Sequence, residues 1–144
     1  MSDTEGTADS TTSAALTRAL ERVGDRWTLL AVAALLDGPR RFGELELAMP
    51  GISTNVLTSR LRALEQSGVV VATAYTDRPP RYEYELTDVG RDLVGAIQQL
   101  AVWGARAGQA GDSLRHAVCS TPLEVRFFCP TCNEVVDEPD EVWI

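Results

Sequence analysis

The sequence predicts an α+β, mainly helical fold, in which two helices joined by a tight turn precede a two-stranded hairpin. Three observations lead to this prediction. Four successive segments carry apolar residues at helical spacing, and the last two are separated only by the four residues PGIS. A β-branched segment and a segment of alternating residues then flank a proline-rich turn. Three cysteines cluster in the last quarter of the chain, which predicts a small Cys-rich appendage there.

The first two helices are delimited by capping residues. We expect the first helix to follow Ser13 as its N-cap and to end at Gly24. Asp25 is the expected N-cap of the second helix, RWTLLAVAALLDG, and Gly38-Pro39 stops it. Because apolar residues occupy almost the whole circumference of this helix, it is predicted to be buried, with Trp27 in the core.

The next two helices form the predicted helix-turn-helix. RRFGELELAMPG indicates a short amphipathic helix, and its expected inward residues are Phe42, Leu45, Leu47 and Ala48. The turn PGIS connects it to a helix within ISTNVLTSRLRALEQSG, residues 52–68. Ser53 is the expected N-cap of that helix, and Gly68 ends it.

The hairpin that follows is the expected wing. VVVATAYT (69–76) and YEYELT (82–87) are predicted strands, and DRPPR is the rigid turn between them. Thr87 or Asp88 then caps one long helix over residues 88–108. A helix-turn-helix followed by a two-stranded hairpin is a winged helix-turn-helix.

One face of the fourth helix is suited to hydrogen bonding. At 100° per residue, the apolar residues lie opposite a polar set that comprises Asn55, Thr58, Ser59, Arg62 and Gln66. Asparagine and arginine can read adenine and guanine bidentately in the major groove, and small hydroxyl side chains allow close approach. The alternative is an ordinary solvated face. Arg60 projects near the apolar side, which favours an internal ion pair or a snorkelled stem over a base contact.

Further candidate DNA contacts flank this helix. Its N-terminal end adds Ser53 and Thr54, because recognition helices make most base contacts from their first turns. Arg40 and Arg41 open the third helix, where backbone N–H groups also attract phosphate.

The wing supplies two more candidates. Arg78 and Arg81 lie near the predicted hairpin tip, where arginines can contact phosphate or the minor groove. In the alternative interpretation they pair with Asp77 or Glu83 on a solvated hairpin.

Several motifs together resemble a known family. GDRWTLL, DGPRRFGEL, PGIS, LTSRLRALEQSG, PPRYEYELT and TDVGRDL occur in that order between about residues 15 and 105. They closely resemble the HxlR-type winged helix-turn-helix transcription regulators. The resemblance implies a homodimer on DNA, with the first and last helices forming the dimer contact. Some members carry a redox-sensing cysteine just before the first helix. This chain has TTSAALTRALE there, which excludes a thiol switch at that position.

The net charge of −8 is concentrated at the two ends of the chain. Residues 1–12 carry −3, residues 13–111 balance to zero, and residues 112–144 carry −5. All 13 basic residues are arginine, which suits bidentate contacts to bases and phosphates. The neutral middle argues against nonspecific coating of DNA. We expect a disordered acidic N-terminus (1–12), a DNA-binding and dimerisation domain (13–108) and a His/Cys appendage with an acidic tail (109–144).

Other classes of protein are disfavoured. The N-terminus has acidic residues in place of a signal peptide, and no apolar run reaches the ~20 residues of a membrane span. We therefore expect a cytoplasmic bacterial protein. The single histidine and the lack of a nucleophile elbow or phosphate loop leave no catalytic constellation, so an enzyme is not expected.

The appendage carries a pattern of metal ligands. Two pairs of donors, each with two intervening residues, are separated by nine residues: His116 and Cys119, then Cys129 and Cys132. This set suits one Zn²⁺ per chain, structural or sensory, in a zinc-ribbon-like unit in which EVRFF is a strand. The alternatives are a redox-sensitive Cys129–Cys132 pair and reduced cysteines without a special role. DEPDE beyond them is expected to be a solvated acidic tail.

The sequence therefore predicts a sequence-specific regulator of transcription that binds double-stranded DNA. We expect a homodimeric repressor on an inverted-repeat operator, with any small-molecule effector undetermined. The alternative is a metal- or thiol-redox-responsive module that acts through protein partners and has a weak DNA face.

Overall fold

The computed structural model describes residues 9–107 and 114–136. In chain order its elements are α1 (Asp9–Val23), α2 (Arg26–Ala34), β1 (Arg40–Arg41), α3 (Phe42–Ala48), α4 (Thr54–Gln66), β2 (Val70–Asp77), β3 (Pro80–Leu86), α5 (Asp88–Arg91), α6 (Val94–Ala107), β4 (Phe127–Cys129) and β5 (Glu134–Val136). The predicted mainly helical winged helix-turn-helix is confirmed. The chain divides into a unit over Arg18–Ile97 and a second unit made of the residues at both ends.

Helix α4 is held by the core of the first unit. Leu57, Leu61 and Leu64 recur at helical spacing and are each at most 1% exposed. They pack with residues of α1, α2, α3 and the sheet and of the chain next to these elements: Val23, Ala31, Val32, Leu35, Leu45, Met49, Val69, Val70 and Leu86. Trp27, which was predicted to lie in the core, is half-buried and packs against this cluster. The polar side of α4 is therefore directed away from a close-packed interior.

The wing is confirmed, and it belongs to a three-stranded antiparallel sheet in the order β1-β3-β2. Val70 pairs with Leu86 at its base, and the register shifts between Ala74 and Thr76. The strand β1 was not expected. It forms because Arg40 and Arg41 pair with β3, a contact between residues more than 40 positions apart that no local pattern reveals.

Two predicted helix boundaries are wrong. Helix α1 begins at Asp9, so Ser13 lies within it, and the helix includes the last residues of the segment expected to be disordered. The single long helix over 88–108 is divided into α5 and α6. Thr87 is the N-cap of α5, and its hydroxyl donates to the carbonyl of Gly68. Gly90 lies so close to Val69 that a Cβ added to it would be 2.2 Å from the Val69 carbonyl oxygen. These contacts hold α5 against the residues that connect α4 to β2.

Leu47 was wrongly placed in the core. It is 83% exposed, and Ala48, which was also expected to face inward, is exposed too, whereas Met49 is buried. Leu45 is fully buried. Leu47, two positions later, lies about 200° round the helix, whereas Met49, four positions later, returns to the side of Leu45. The inward face of α3 therefore continues through Met49 rather than Leu47.

The C-terminal residues 114–136 contain two short β structures. Strands β4 and β5 form an antiparallel hairpin, in which Cys129 pairs with Glu134. An isolated bridge joins Arg115 to Pro122. The expected strand EVRFF is observed only from Phe127 onward, and the acidic DEPDE segment lies outside the described residues.

No helix in the described ranges is both long enough and apolar enough to cross a membrane.

Candidate functional site

The α4 polar face consists of Asn55, Thr58, Ser59, Arg62 and Gln66. These five residues line one shallow depression of about 440 Å³ together with Ala63. All of them are exposed except Thr58, which is half-buried. The predicted grouping of these side chains is therefore present on the surface of the helix, opposite the three buried leucines.

Several hydroxyl groups at the start of α4 are engaged within the chain. The Ser53 Oγ caps the helix by accepting from the Val56 N–H at 3.3 Å. The Thr54 hydroxyl donates to Glu46 Oε1 on α3 at 2.6 Å. The Thr58 hydroxyl donates to the carbonyl of Thr54 at 2.8 Å. Ser53 and Thr54 thus fix the start of α4 and its position against α3.

The Asn55 and Ser59 side chains have a different environment. Within the described part of the chain, neither makes a side-chain hydrogen bond. Both are exposed, so their polar groups face solvent and can exchange water for a ligand without breaking an internal contact.

Arg60 forms the predicted internal ion pair. Its Nε lies 2.8 Å from Asp25 Oδ1, and its Nη2 donates to Oδ2 at 3.3 Å. Asp25 also caps α2, because its Oδ1 accepts from the backbone N–H groups of Trp27 and Thr28. One carboxylate therefore anchors α4 to the start of α2, and the charge of Arg60 is directed away from the α4 polar face.

Arg62 lies at the side of the α4 polar face that adjoins the sheet. It lines a second depression together with Ala72 and Tyr84. Burial raises the pKa of Tyr84, the carboxylate of Glu65 adds to that shift, and the Arg62 guanidinium opposes it. The charge of Arg62 is therefore available where helix and sheet meet.

Both arginines at the wing tip are exposed. Arg81 pairs with Thr76 in the sheet, and Arg78 lies in the turn between the strands. Within the described residues, neither arginine forms an ion pair with Asp77 or Glu83, which was the alternative to a DNA contact. Their charges are unneutralised at the tip.

Arg40 and Arg41 differ from each other. The Arg40 Nε donates to the carbonyl of Ala34 at 2.5 Å, and its Nη2 lies 3.8 Å from Asp37. Arg40 is thus half-buried and holds the end of α2 to β1. The Arg41 guanidinium stacks on the Tyr75 ring, 4.4 Å from its centroid, at the exposed edge of the wing.

The His/Cys candidates form two separate pairs. His116 Nδ1 lies 3.3 Å from Cys119 Sγ, and the sulfur also contacts Thr121 Oγ1 at 3.2 Å. Hydrogen bonding with Thr121, and then with His116, lowers the pKa of Cys119 to about 7. Hydrogen bonds from Cys132 lower the pKa of Cys129. No three potential ligands converge among the described residues, so the four predicted ligands are not assembled at one point.

The sequence did not indicate two of the positioning residues. Glu46 holds Thr54, and Asp25 holds Arg60 in addition to its predicted role as N-cap. The cap could be identified because it acts on the residues that follow it. Both cross-helix contacts depend on how neighbouring helices pack, which no local pattern encodes.

Comparison with known proteins gives consistent results. The family model described as HxlR-like helix-turn-helix matches residues 22–112. An HTH-type transcriptional regulator of Mycobacterium tuberculosis is 42% identical over 123 residues, which cover 83% of this chain and 77% of that protein. The chain is also similar to the solved structure of the HTH-type regulator YtcD, with 38% identity, a TM-score of 0.60, and coverage of 64% of this chain and 94% of the other. YtcD is a Bacillus subtilis protein.

A third similarity is to the redox regulator HypR in its oxidized form. The identity is 33% and the TM-score is 0.61, and the alignment covers 66% of this chain and 97% of that chain.

Proposed function

This chain belongs to the HxlR-like helix-turn-helix family of transcriptional regulators, and from that premise we propose that it represses transcription as a homodimer on an inverted-repeat operator. The family consists of DNA-binding regulators and not of enzymes. The α4 polar face carries the proposal, because its five side chains share one exposed surface behind which the helix is firmly packed.

In this proposal α4 enters the major groove. Asn55 and Arg62 read base edges, since amide and guanidinium groups make the bidentate contacts that distinguish adenine and guanine. Ser59 and Thr58 add hydroxyl contacts to bases or phosphates. Thr54 has a hydrogen bond to Glu46 and acts by positioning α4.

Phosphate contacts flank the helix. Arg78 and Arg81 are exposed and unpaired among the described residues, and Arg41 is presented on Tyr75 next to the wing. These three arginines position the protein without reading sequence. Arg40 serves the fold instead, because its Nε is committed to the carbonyl of Ala34.

Dimer formation is supported by apolar side chains that a single chain leaves exposed. On α1, Leu16 and Leu20 are each more than half exposed, and on α6 so are Leu100 and Trp103. Large apolar groups in such numbers on two helices are typical of an interface. A twofold dimer places two α4 helices in major grooves about one turn, roughly 34 Å, apart, which calls for an inverted repeat. Occupation of a promoter by such a dimer excludes polymerase, and the proposed outcome is repression.

Two measurements test the DNA-binding proposal. Footprinting on DNA upstream of the chain's own gene locates a protected site. Fluorescence anisotropy at fixed salt then compares the affinity for that site with the affinity for a scrambled site. Arg62→Ala is expected to reduce the ratio of specific to scrambled affinity by about 1–3 kcal/mol, roughly 5- to 150-fold. The control Arg91→Ala removes the same charge, but the Arg91 guanidinium is already paired with Glu85 at 2.8 Å. This variant should leave the affinity ratio unchanged.

An unchanged ratio in Arg62→Ala would contradict the assignment of the α4 polar face. Absence of a footprint and of specific binding would favour the alternative of a protein-interaction module.

Sedimentation of the full chain tests the dimer. Trp103→Glu is expected to shift the dimer toward monomer, because the charge would be buried in the interface without a partner. Val89→Glu, an exposed apolar position outside α1 and α6, is the matched control and should remain dimeric. A dimer of unchanged affinity in Trp103→Glu would place the interface elsewhere.

A further inference from the structure

The C-terminal residues 114–136 are folded with little burial of apolar surface. Phe127, Phe128, Val125 and Leu123 are each about half exposed, and Val118 is 87% exposed. A segment this small does not bury enough apolar area to offset the entropy of ordering its backbone. Small units of this kind are ordinarily stabilised by disulfides or a metal ion.

The first turn of this segment brings one nitrogen and one sulfur donor together. The Arg115–Pro122 bridge closes it, the His116 N–H donates to the Thr121 carbonyl at 2.9 Å, and the Ser120 N–H donates to the His116 carbonyl at 2.7 Å. As a result, His116 Nδ1 lies 3.3 Å from Cys119 Sγ.

The second turn repeats this arrangement with two sulfurs. The last pair of the β4–β5 ladder, Cys129 with Glu134, closes it. Cys132 follows Cys129 by three residues in this turn, as Cys119 follows His116 in the first turn. The residue after the second donor has positive φ in each turn: 58° at Ser120 and 57° at Asn133. Non-glycine residues rarely adopt this conformation, and its repetition at equivalent positions indicates one type of turn built twice.

We propose that one Zn²⁺ ion is bound by His116 Nδ1 and the sulfurs of Cys119, Cys129 and Cys132. Two turns that each present two donors supply the four ligands of a tetrahedral structural site. Three thiolates and a neutral imidazole are soft donors that favour zinc over magnesium or calcium, and binding releases the thiol protons. The two pairs are separate in the described structure, and residues 123–126 between them are neither helix nor strand, so metal binding draws the two turns together.

The proposed zinc stabilises the segment in place of a hydrophobic core. Its four ligands lie in the second unit, whereas the α4 polar face lies in the first. The test therefore reads metal binding directly rather than DNA affinity.

The experiment uses the full chain purified under reducing conditions without added metal. Elemental analysis is expected to find about one zinc per chain. Replacement by Co²⁺ should give the visible bands of a tetrahedral site and near-ultraviolet thiolate-to-cobalt charge transfer. A chain without zinc that also gives no tetrahedral cobalt spectrum would overturn the proposal, and so would a Cys129–Cys132 disulfide in the isolated protein.

Substitutions of the ligands distinguish a site with four ligands from one with only two. Cys119→Ser and His116→Ala should each weaken zinc binding by roughly 100-fold or more, since even residues outside the ligand set change metal affinity by about 10- to 100-fold. His116→Cys should restore tight binding with a stronger charge-transfer band. Thr131→Ala, which lies between two ligands without being one, is the control and should keep its zinc. Unchanged affinity in both Cys119→Ser and His116→Ala would refute the four-ligand site.

Discussion

Helix α4 and the C-terminal residues 114–136 carry the candidate functional groups of this chain, but they are held in place in opposite ways. Behind the α4 polar face, Leu57, Leu61 and Leu64 are at most 1% exposed. In the C-terminal segment, every large apolar side chain from Val118 to Val135 that the structure describes is at least 44% exposed, and backbone hydrogen bonds define the turns. A hydrophobic core thus positions the first site before any ligand binds. In the second, the ligand is expected to provide the missing stabilisation.

Metal removal should cause the largest difference in stability between the two regions. Chelation is expected to abolish hydrogen-exchange protection of the amides in Phe127–Cys129, because structural zinc contributes on the order of 10–16 kcal/mol to such small units. Amides within Thr54–Gln66 should keep their protection, since their core contains no metal ligand. Equal protection of Phe127–Cys129 before and after chelation would show that the segment is stable without metal.

A cavity in the core should destabilise the first unit and leave the zinc content of the C-terminal segment unchanged. Leu61→Ala is expected to reduce the free energy of unfolding of the first unit by about 2–5 kcal/mol, measured by urea denaturation followed by circular dichroism. The matched control is Leu47→Ala, because Leu47 is 83% exposed and its loss should cost within about 0.5 kcal/mol. Zinc content should be equal in both variants, and a loss of zinc in Leu61→Ala would show that the two regions are coupled.

The shared carboxylate of Asp25 should have an intermediate effect. Asp25→Ala removes the cap of α2 and the partner of Arg60, and is expected to cost about 1–3 kcal/mol of unfolding free energy. Asp25→Asn keeps a capping oxygen while it removes the charge, and should cost less than about 1 kcal/mol. If the two variants were equally destabilised, the ion pair rather than the cap would dominate.

The wing arginines are expected to have the smallest effect. Arg78→Ala and Arg81→Ala should each weaken binding to specific and scrambled DNA alike and reduce the slope of log affinity against log salt by about 1. Anisotropy titrations at several salt concentrations measure that slope. A change confined to the specific site would mean that the wing reads sequence.

Local patterns in the sequence determined much of the first unit. The caps Ser53 and Asp25 act on residues two or three positions ahead, and the leucines of α4 recur with the helical period. The face of α4 and its polar residues could therefore be predicted without knowing what packs behind it. The four His/Cys ligands are likewise a pattern in sequence, and their metal remains a prediction.

Only the tertiary structure decided which contacts join these elements to one another. Arg60 and Asp25 are 35 residues apart, and β1 exists only because it pairs with β3. The same holds for Thr54 with Glu46 and for the close approach of Gly90 to Val69 that accompanies the division of the last helix. Helical period and capping arise within about one turn of chain, whereas these contacts depend on the relative placement of packed elements, which short stretches of sequence do not encode.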